Sequence, residues 1–241
     1  MICLGTIVNA AAIIAGGAAG LVFKKILSKR ITDTVMHGVA LAVLIIGIGG
    51  ALNAAFTIAD GEIGFDHILI MIISLAVGAV IGEVIKIESK LDSFAGFCEK
   101  KFTKSGEEST FAQGFITATL VFCVGSMAVV GSLEDGINGN SDILFAKSTL
   151  DGITSMVFAS TLGIGVLFSA LTVGVYQGAI TLLAIVVAPY LSETAVTQMS
   201  FIGSVLIMAI AMNMLQITKI KVGNMLPAIF LPILYHIIIT P

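Results

Sequence analysis

The chain has 241 residues, 57% of them hydrophobic and only 11% charged, with a net charge of −3 and a mean hydropathy of +1.09. Soluble domains carry about 25% charged residues, and a chain of this length has too little interior to hide so much apolar surface from water. The composition therefore excludes a soluble globular protein and makes the lipid bilayer the first partner, while the lack of a basic cluster beside exposed aromatics excludes nucleic acid.

Eight apolar segments reach the roughly 17–25 residues that a helix needs to cross the hydrocarbon core. They are 3–23, 35–57, 66–86, 111–131, 150–172, 174–191, 200–217 and 223–240. The predicted fold is all-α, a polytopic membrane bundle of eight transmembrane helices. No positively charged leader precedes the first run, so it reads as a permanent span and not as a cleaved signal peptide. Lys24, Lys25, Lys29 and Arg30 follow it. Asp60, Glu62 and Asp66 follow the second span, and Lys86, Lys90, Lys100, Lys101 and Lys104 the third. Glu134, Asp135 and Asp142 follow the fourth, Glu193 the sixth, and Lys219 and Lys221 the seventh. Cytoplasmic loops keep Lys and Arg, so this alternation threads a multi-pass protein with both termini extracytoplasmic. Lys147 is the one cation on the wrong side.

Between spans five and six the turn, expected near Val173 and Gly174, carries no charge. Two crossings are preferred there, because one would expose Lys219 and Lys221. After span three, Ile87, Leu91, Phe94 and Cys98 recur at three- and four-residue steps, the pattern of a helix lying in the membrane interface. Residues 104–110 (KSGEEST) form a polar link into span four.

An offset of 76 residues places His37 and Gly38 on Gln113 and Gly114, Leu44 on Leu120 and Gly49 on Gly125. With one residue deleted, the loop ADGEIGFDHIL falls on EDGINGNSDIL. Residues 1–65 and 66–145 therefore read as parallel copies of a helical hairpin. Residues 146–241 form a C-terminal four-helix portion of the same transmembrane domain.

Gly16 and Gly20, like Gly78 and Gly82, are small residues four apart that let helix backbones approach closely. Glycines at 47, 49 and 50, at 125 and 131, and at 163 and 165 are denser and loosen a helix. Broken helices at equivalent points of a repeat, here Gly49 and Gly125, point to a transport site; close helix packing would put glycines there equally well. Asn9, Ser126, Ser132 and Gln177 are polar side chains at membrane depth, explained either by hydrogen bonds between helices or by contact with a solute. Asp151 stands four residues after Lys147, a spacing that suits a helical ion pair, yet an acid near membrane depth is also a functional candidate.

Cys3, Cys98 and Cys123 share no ligand spacing, and His37, His67 and His236 fall at different membrane boundaries, so no metal and no cofactor is expected. No hydrolytic or phosphate-cradling motif is present. No catalytic residue is assigned, and the chain is not expected to be an enzyme.

Residues 115–136 (FITATLVFCVGSMAVVGSLEDG), 147–152 (KSTLDG), Tyr176 to Gly178 and the opening Gly5 to Asn9 (GTIVN) are together similar to the YqgA/YdfK-like family. The resemblance covers nearly the whole chain. It implies a bacterial inner-membrane protein with several spans, in a family classed as a domain of unknown function and sometimes labelled a transporter. Asn9, Gly125, Ser126, Gly131, Ser132, Glu134, Asp135, Lys147, Asp151, Gln177 and Gly178 match as motif positions; the family assigns them no role.

Two functions fit these features. In a secondary transporter, a small polar or anionic solute would contact backbone freed at Gly125 and Ser126, with hydrogen bonds from Asn9, Ser132 and Gln177. Asp151, with Glu134 or Asp135, would carry a coupling proton or sodium ion. In a non-transporting membrane module, the small-residue stripes and the interfacial helix would instead join copies into a homo-oligomeric scaffold or bind another membrane protein; a passive channel along an oligomeric axis is a third reading.

Overall fold

The computed structural model describes residues 3–26, 29–59, 62–90, 93, 111–124, 126–188 and 191–239. Backbone N–H and C=O groups find no water in hydrocarbon, so apolar segments bond to themselves as helices. The order is α1 (Leu4–Ile26), α2 (Lys29–Ala55), β1 (Phe56–Ala59), β2 (Glu62–Phe65), α3 (Ile68–Ile85), α4 (Phe111–Cys123) and α5 (Ser126–Asn138). There follow α6 (Asp142–Leu162), α7 (Gly165–Leu182), α8 (Ala184–Val187), α9 (Glu193–Met214), α10 (Val222–Met225), a 3-10 turn (Leu226–Phe230) and α11 (Leu231–Ile239). The protein is an all-α membrane helix bundle. Among the described residues, strand pairing is confined to the antiparallel β1–β2 hairpin, which pairs Phe56 with Phe65 and Ala59 with Glu62.

Five helices are long and apolar enough to cross a membrane, or six if the bent pair α4 and α5 is one span. The sequence predicts eight. Among the described residues, α6 carries Asp142, Lys147 and Asp151, and the apolar helix Val222–Ile238 is short, so neither is counted among these crossings. The turn expected near Val173 and Gly174 is absent, since α7 runs through both. It lies at Gly163, whose φ of 79° and ψ of −157° end α6; L side chains rarely adopt such a backbone, which is why a glycine stands there. The predicted break at Gly49 is also absent, because α2 is continuous through it. A break does separate α4 from α5, with a bend of 59°; Gly125 itself lies outside the described residues. Of the predicted interfacial helix, residues 87–90 are helical and most of the remainder lies outside the described residues.

The chain divides into two compact units. Unit 1 comprises Met1–Val39, Ser89–Cys123 and Met127–Val186. Here α1 and α6 run parallel and touch backbone to backbone: a Cβ at Gly16 would fall on the Gly152 carbonyl oxygen, and one at Gly20 on that of Met156. Ser155 Oγ donates to the Ile13 carbonyl at 2.7 Å across the same seam. α7 runs antiparallel to α1, with Gly17 against Leu167 at one end and Gly178 beside Thr6 at the other. α4 runs antiparallel to α6, where the Phe122 and Phe158 rings stack 6.2 Å apart.

Unit 2 comprises Ala40–Glu88, Val124–Ser126 and Val187–Pro241. Gly78 lies against Ala228 and Gly82 against the Asn224 carbonyl, so α3 packs closely on the chain after Lys221. Asn224 Nδ2 donates to Glu83 Oε2 at 2.5 Å, and its Oδ1 accepts from the Glu88 N–H at 2.7 Å. Lys221 Nζ reaches the other Glu83 oxygen at 3.1 Å. The four glycines of the two stripes are therefore all packed inside one chain, which removes the main support for a scaffold built on them. Side chains such as Val84, Leu69, Leu171 and Leu182 are exposed, as lipid-facing positions should be.

Candidate functional site

Unit 1 holds a polar cluster within its apolar helices. α1 supplies Asn9, α6 supplies Lys147 and Asp151, and α7 supplies Gln177. Asn9 and Gln177 are fully buried, and Lys147 and Asp151 are only 7% and 6% exposed. Asn9 Nδ2 donates to Asp151 Oδ2 at 3.0 Å and to Gln177 Oε1 at 3.2 Å. Lys147 Nζ donates to the same Asp151 oxygen, one helical turn away, and stands 5.9 Å over the Phe122 ring. The four-residue spacing puts both charges on one face of α6, and the glycine seam lets α1 approach closely enough for its amide to reach them.

Three of the residues proposed from sequence, Asn9, Asp151 and Gln177, thus meet directly. Others do not. Ser132 is buried but donates to its own helix at the Ala128 carbonyl, 2.7 Å away. Glu134 accepts from Asn138 Nδ2 at 2.8 Å on an exposed face. Asp135, next in sequence, turns inward and is fully buried, with Ser141 Oγ donating to its Oδ1 at 2.7 Å. Burial first, and the Asp135 carboxylate second, hold the Cys3 thiol above its ordinary range. Gly125 lies outside the described residues, and Ser126 is described only as the first residue of α5.

Lys147, the cation on the wrong side, joins the cluster as the ion-pair partner that its four-residue spacing to Asp151 suggests. Thr6 and Thr181 were not singled out. They lie one turn from Asn9 and Gln177, so polar residues continue along α1 and α7 in layers about 5 Å apart. The buried atoms Asn9 Oδ1, Gln177 Nε2, Thr6 Oγ1, Thr181 Oγ1 and Asp135 Oδ2 have no hydrogen-bond partner among the described residues. Thr117 Oγ1 and Thr119 Oγ1 on α4 are likewise buried without a partner among the described residues. Unpaired polar atoms are costly in an apolar interior, and unit 1 holds seven of them.

A family model described as "Protein of unknown function (DUF554)" matches residues 4–237. The chain belongs to the DUF554 family. It is 32% identical to the "Uncharacterized membrane protein YdfK" of Bacillus subtilis (strain 168), over 95% of this chain and 93% of that protein. It is 27% identical to the "Uncharacterized protein YqgA" of Escherichia coli (strain K12), over 95% of this chain and 94% of that one. No solved structure matches it. The family resemblance is thus established, and with it a multi-pass membrane protein.

Two further features of this DUF554 chain bear on the site. An open groove of about 640 Å³ runs between α1 and α7, lined by Ala10, Ile14, Leu167, Phe168, Leu171 and Val175. Its lining is apolar, suiting lipid and not a polar solute. In unit 2, Gln198 bridges two imidazoles, with Nε2 3.2 Å from His67 Nδ1 and Oε1 3.2 Å from His236 Nε2. His236 makes this hydrogen bond from the last turn of α11. No group of three metal-ligating side chains occurs among the described residues.

Proposed function

We propose that this protein is a secondary transporter of a small polar or anionic solute, and not an enzyme. One observation carries the reading: a buried ion pair joined to two amides from separate helices, with an acceptor on Asn9 and a donor on Gln177 left unpaired. An unpaired acceptor and an unpaired donor on two hydrogen-bonded amides suit a solute offering both, such as a carboxylic acid, amide or hydroxy compound. Ionisable groups at membrane depth are expensive and are retained mainly where they act on a pathway. Because Asn9 and Gln177 are fully buried, the described state is closed, and the solute enters through an opening movement of the helices. Asp151 and Asp135 are the carboxylates available for coupling.

A panel of small polar and anionic solutes, screened by thermal unfolding of the purified protein, tests this. A ligand that binds only the folded form raises Tm in a concentration-dependent way. We expect one chemical class to do so, Asn9→Ala and Gln177→Ala to abolish the shift, and the same solute to enter proteoliposomes. A solute that stabilises both variants as well as the wild type would overturn the site.

The orientation belongs to the same proposal: an inner-membrane protein with both termini extracytoplasmic. Along the chain, Lys24 lies in the last turn of α1 and Lys86 directly follows α3, whereas Asn140 follows α5. In a chain whose three native cysteines are replaced by serine, an impermeant thiol reagent on intact cells should label Asn140→Cys and spare Lys24→Cys. The reverse pattern would invert the threading.

A further inference from the structure

Lys147 compensates only one of the two carboxylates enclosed in unit 1. Among the described residues, the buried charged side chains are Asp135, Lys147 and Asp151. Lys147 is committed to Asp151, and among the described residues Asp135 is met by the neutral hydroxyl of Ser141. A carboxylate taken out of water is strongly disfavoured unless a cation answers its charge. Among the described residues Asp135 Oδ2 has no partner, and the buried Thr6 and Thr181 hydroxyls have none either. The packing brings these groups to one end of the unit. Gly136, adjacent to Asp135, lies against the Thr181 carbonyl, and Thr6 lies beside Gly178, one turn from Thr181.

We propose that Asp135 binds a sodium-type alkali cation with the Thr6 and Thr181 hydroxyl oxygens, at a site separate from the Lys147–Asp151 pair. A hard cation takes oxygen ligands, so it occupies all three unpaired oxygens at once. A proton would neutralise the carboxylate and leave both hydroxyls unpaired. A single carboxylate with neutral oxygens matches one positive charge, not two. Use of this ion for coupling rests on the transport reading; its binding rests on the charge imbalance alone.

Thermal unfolding of the purified full-length protein in sodium, potassium or choline chloride, at constant ionic strength and pH, tests the site. The wild type should melt higher in at least one alkali salt than in choline, with Tm climbing as the logarithm of concentration above the dissociation constant. Asp135→Asn keeps the shape and removes the charge. Its Tm should be the same in all three salts, and in choline it should equal or exceed that of the wild type. Thr181→Val keeps the carboxylate and should raise the half-saturating concentration about tenfold, the loss of one neutral ligand. If Asp135→Asn does not fold, the Thr181→Val shift decides. Equal Tm in all three salts for the wild type, an alkali response surviving in Asp135→Asn, or a pH response in place of the alkali one would overturn the site. A failed solute panel would leave the salt response standing, so the two readings fall separately.

Discussion

Replacing Asp151 with leucine is expected to cost about 3–5 kcal/mol of stability, because it leaves the Lys147 ammonium buried without its anion. The same change removes one of the two acceptors of Asn9 Nδ2. Replacing both charges, as Lys147→Met with Asp151→Leu, should recover most of that loss, since a buried ion pair exchanged for apolar side chains of similar size is often neutral or stabilising. Denaturant or thermal unfolding of the two single variants and the double closes the cycle. If the double variant is no more stable than Asp151→Leu, the pair is not the reason for the loss. The double variant also separates stability from function: it should fold well and give no thermal shift with the transported solute. A stable, solute-responsive double variant would show that the pair serves packing alone.

The second large effect concerns the seam between α1 and α6. Gly16→Ala would drive a methyl group onto the Gly152 carbonyl oxygen, and Gly20→Ala onto that of Met156. Backbone on the receiving side cannot rotate away as a side chain can. Each substitution is expected to cost about 1–3 kcal/mol, the range for overpacking a tight interior. Gly49→Ala is the contrast. Nothing lies within 4 Å of a Cβ there, and α2 is continuous through the position, so alanine should be neutral or stabilise by up to about 1 kcal/mol through helix propensity. A destabilising Gly49→Ala would revive the broken-helix expectation at that point. Equal tolerance of alanine at Gly16 and Gly49 would contradict the close seam.

Much of this was legible in the sequence because it is local. Apolar length gives the helices, and the spacing of Lys147 and Asp151 gives their ion pair. The glycine stripes give close backbone approach without naming the partner. What could not be read is the choice of partner, since Asn9 and Asp151 are 142 positions apart in the chain and no local pattern joins them. The turn between α6 and α7 was misplaced for a related reason. Hydropathy is continuous across it and no charge marks it, whereas the decisive signal is one glycine with a backbone that L side chains rarely adopt. Glu134 and Asp135 differ by a single step along a helix, about 100° of rotation, and composition cannot say which of them faces inward. The two loops aligned by the 76-residue offset fold differently. One holds the last residue of β1 and all of β2, the other the end of α5 and a turn into α6.

The pairing of α1 with α6 also sets a schedule for biogenesis. α1 ends at Ile26, while the helix that covers its glycine face is complete only at Leu162. At about 5–20 residues per second of synthesis, that face waits on the order of ten seconds for its proper neighbour. Throughout the wait the first helix stands in the newly made membrane with its smoothest side turned to lipid, open to any other narrow helix that drifts past.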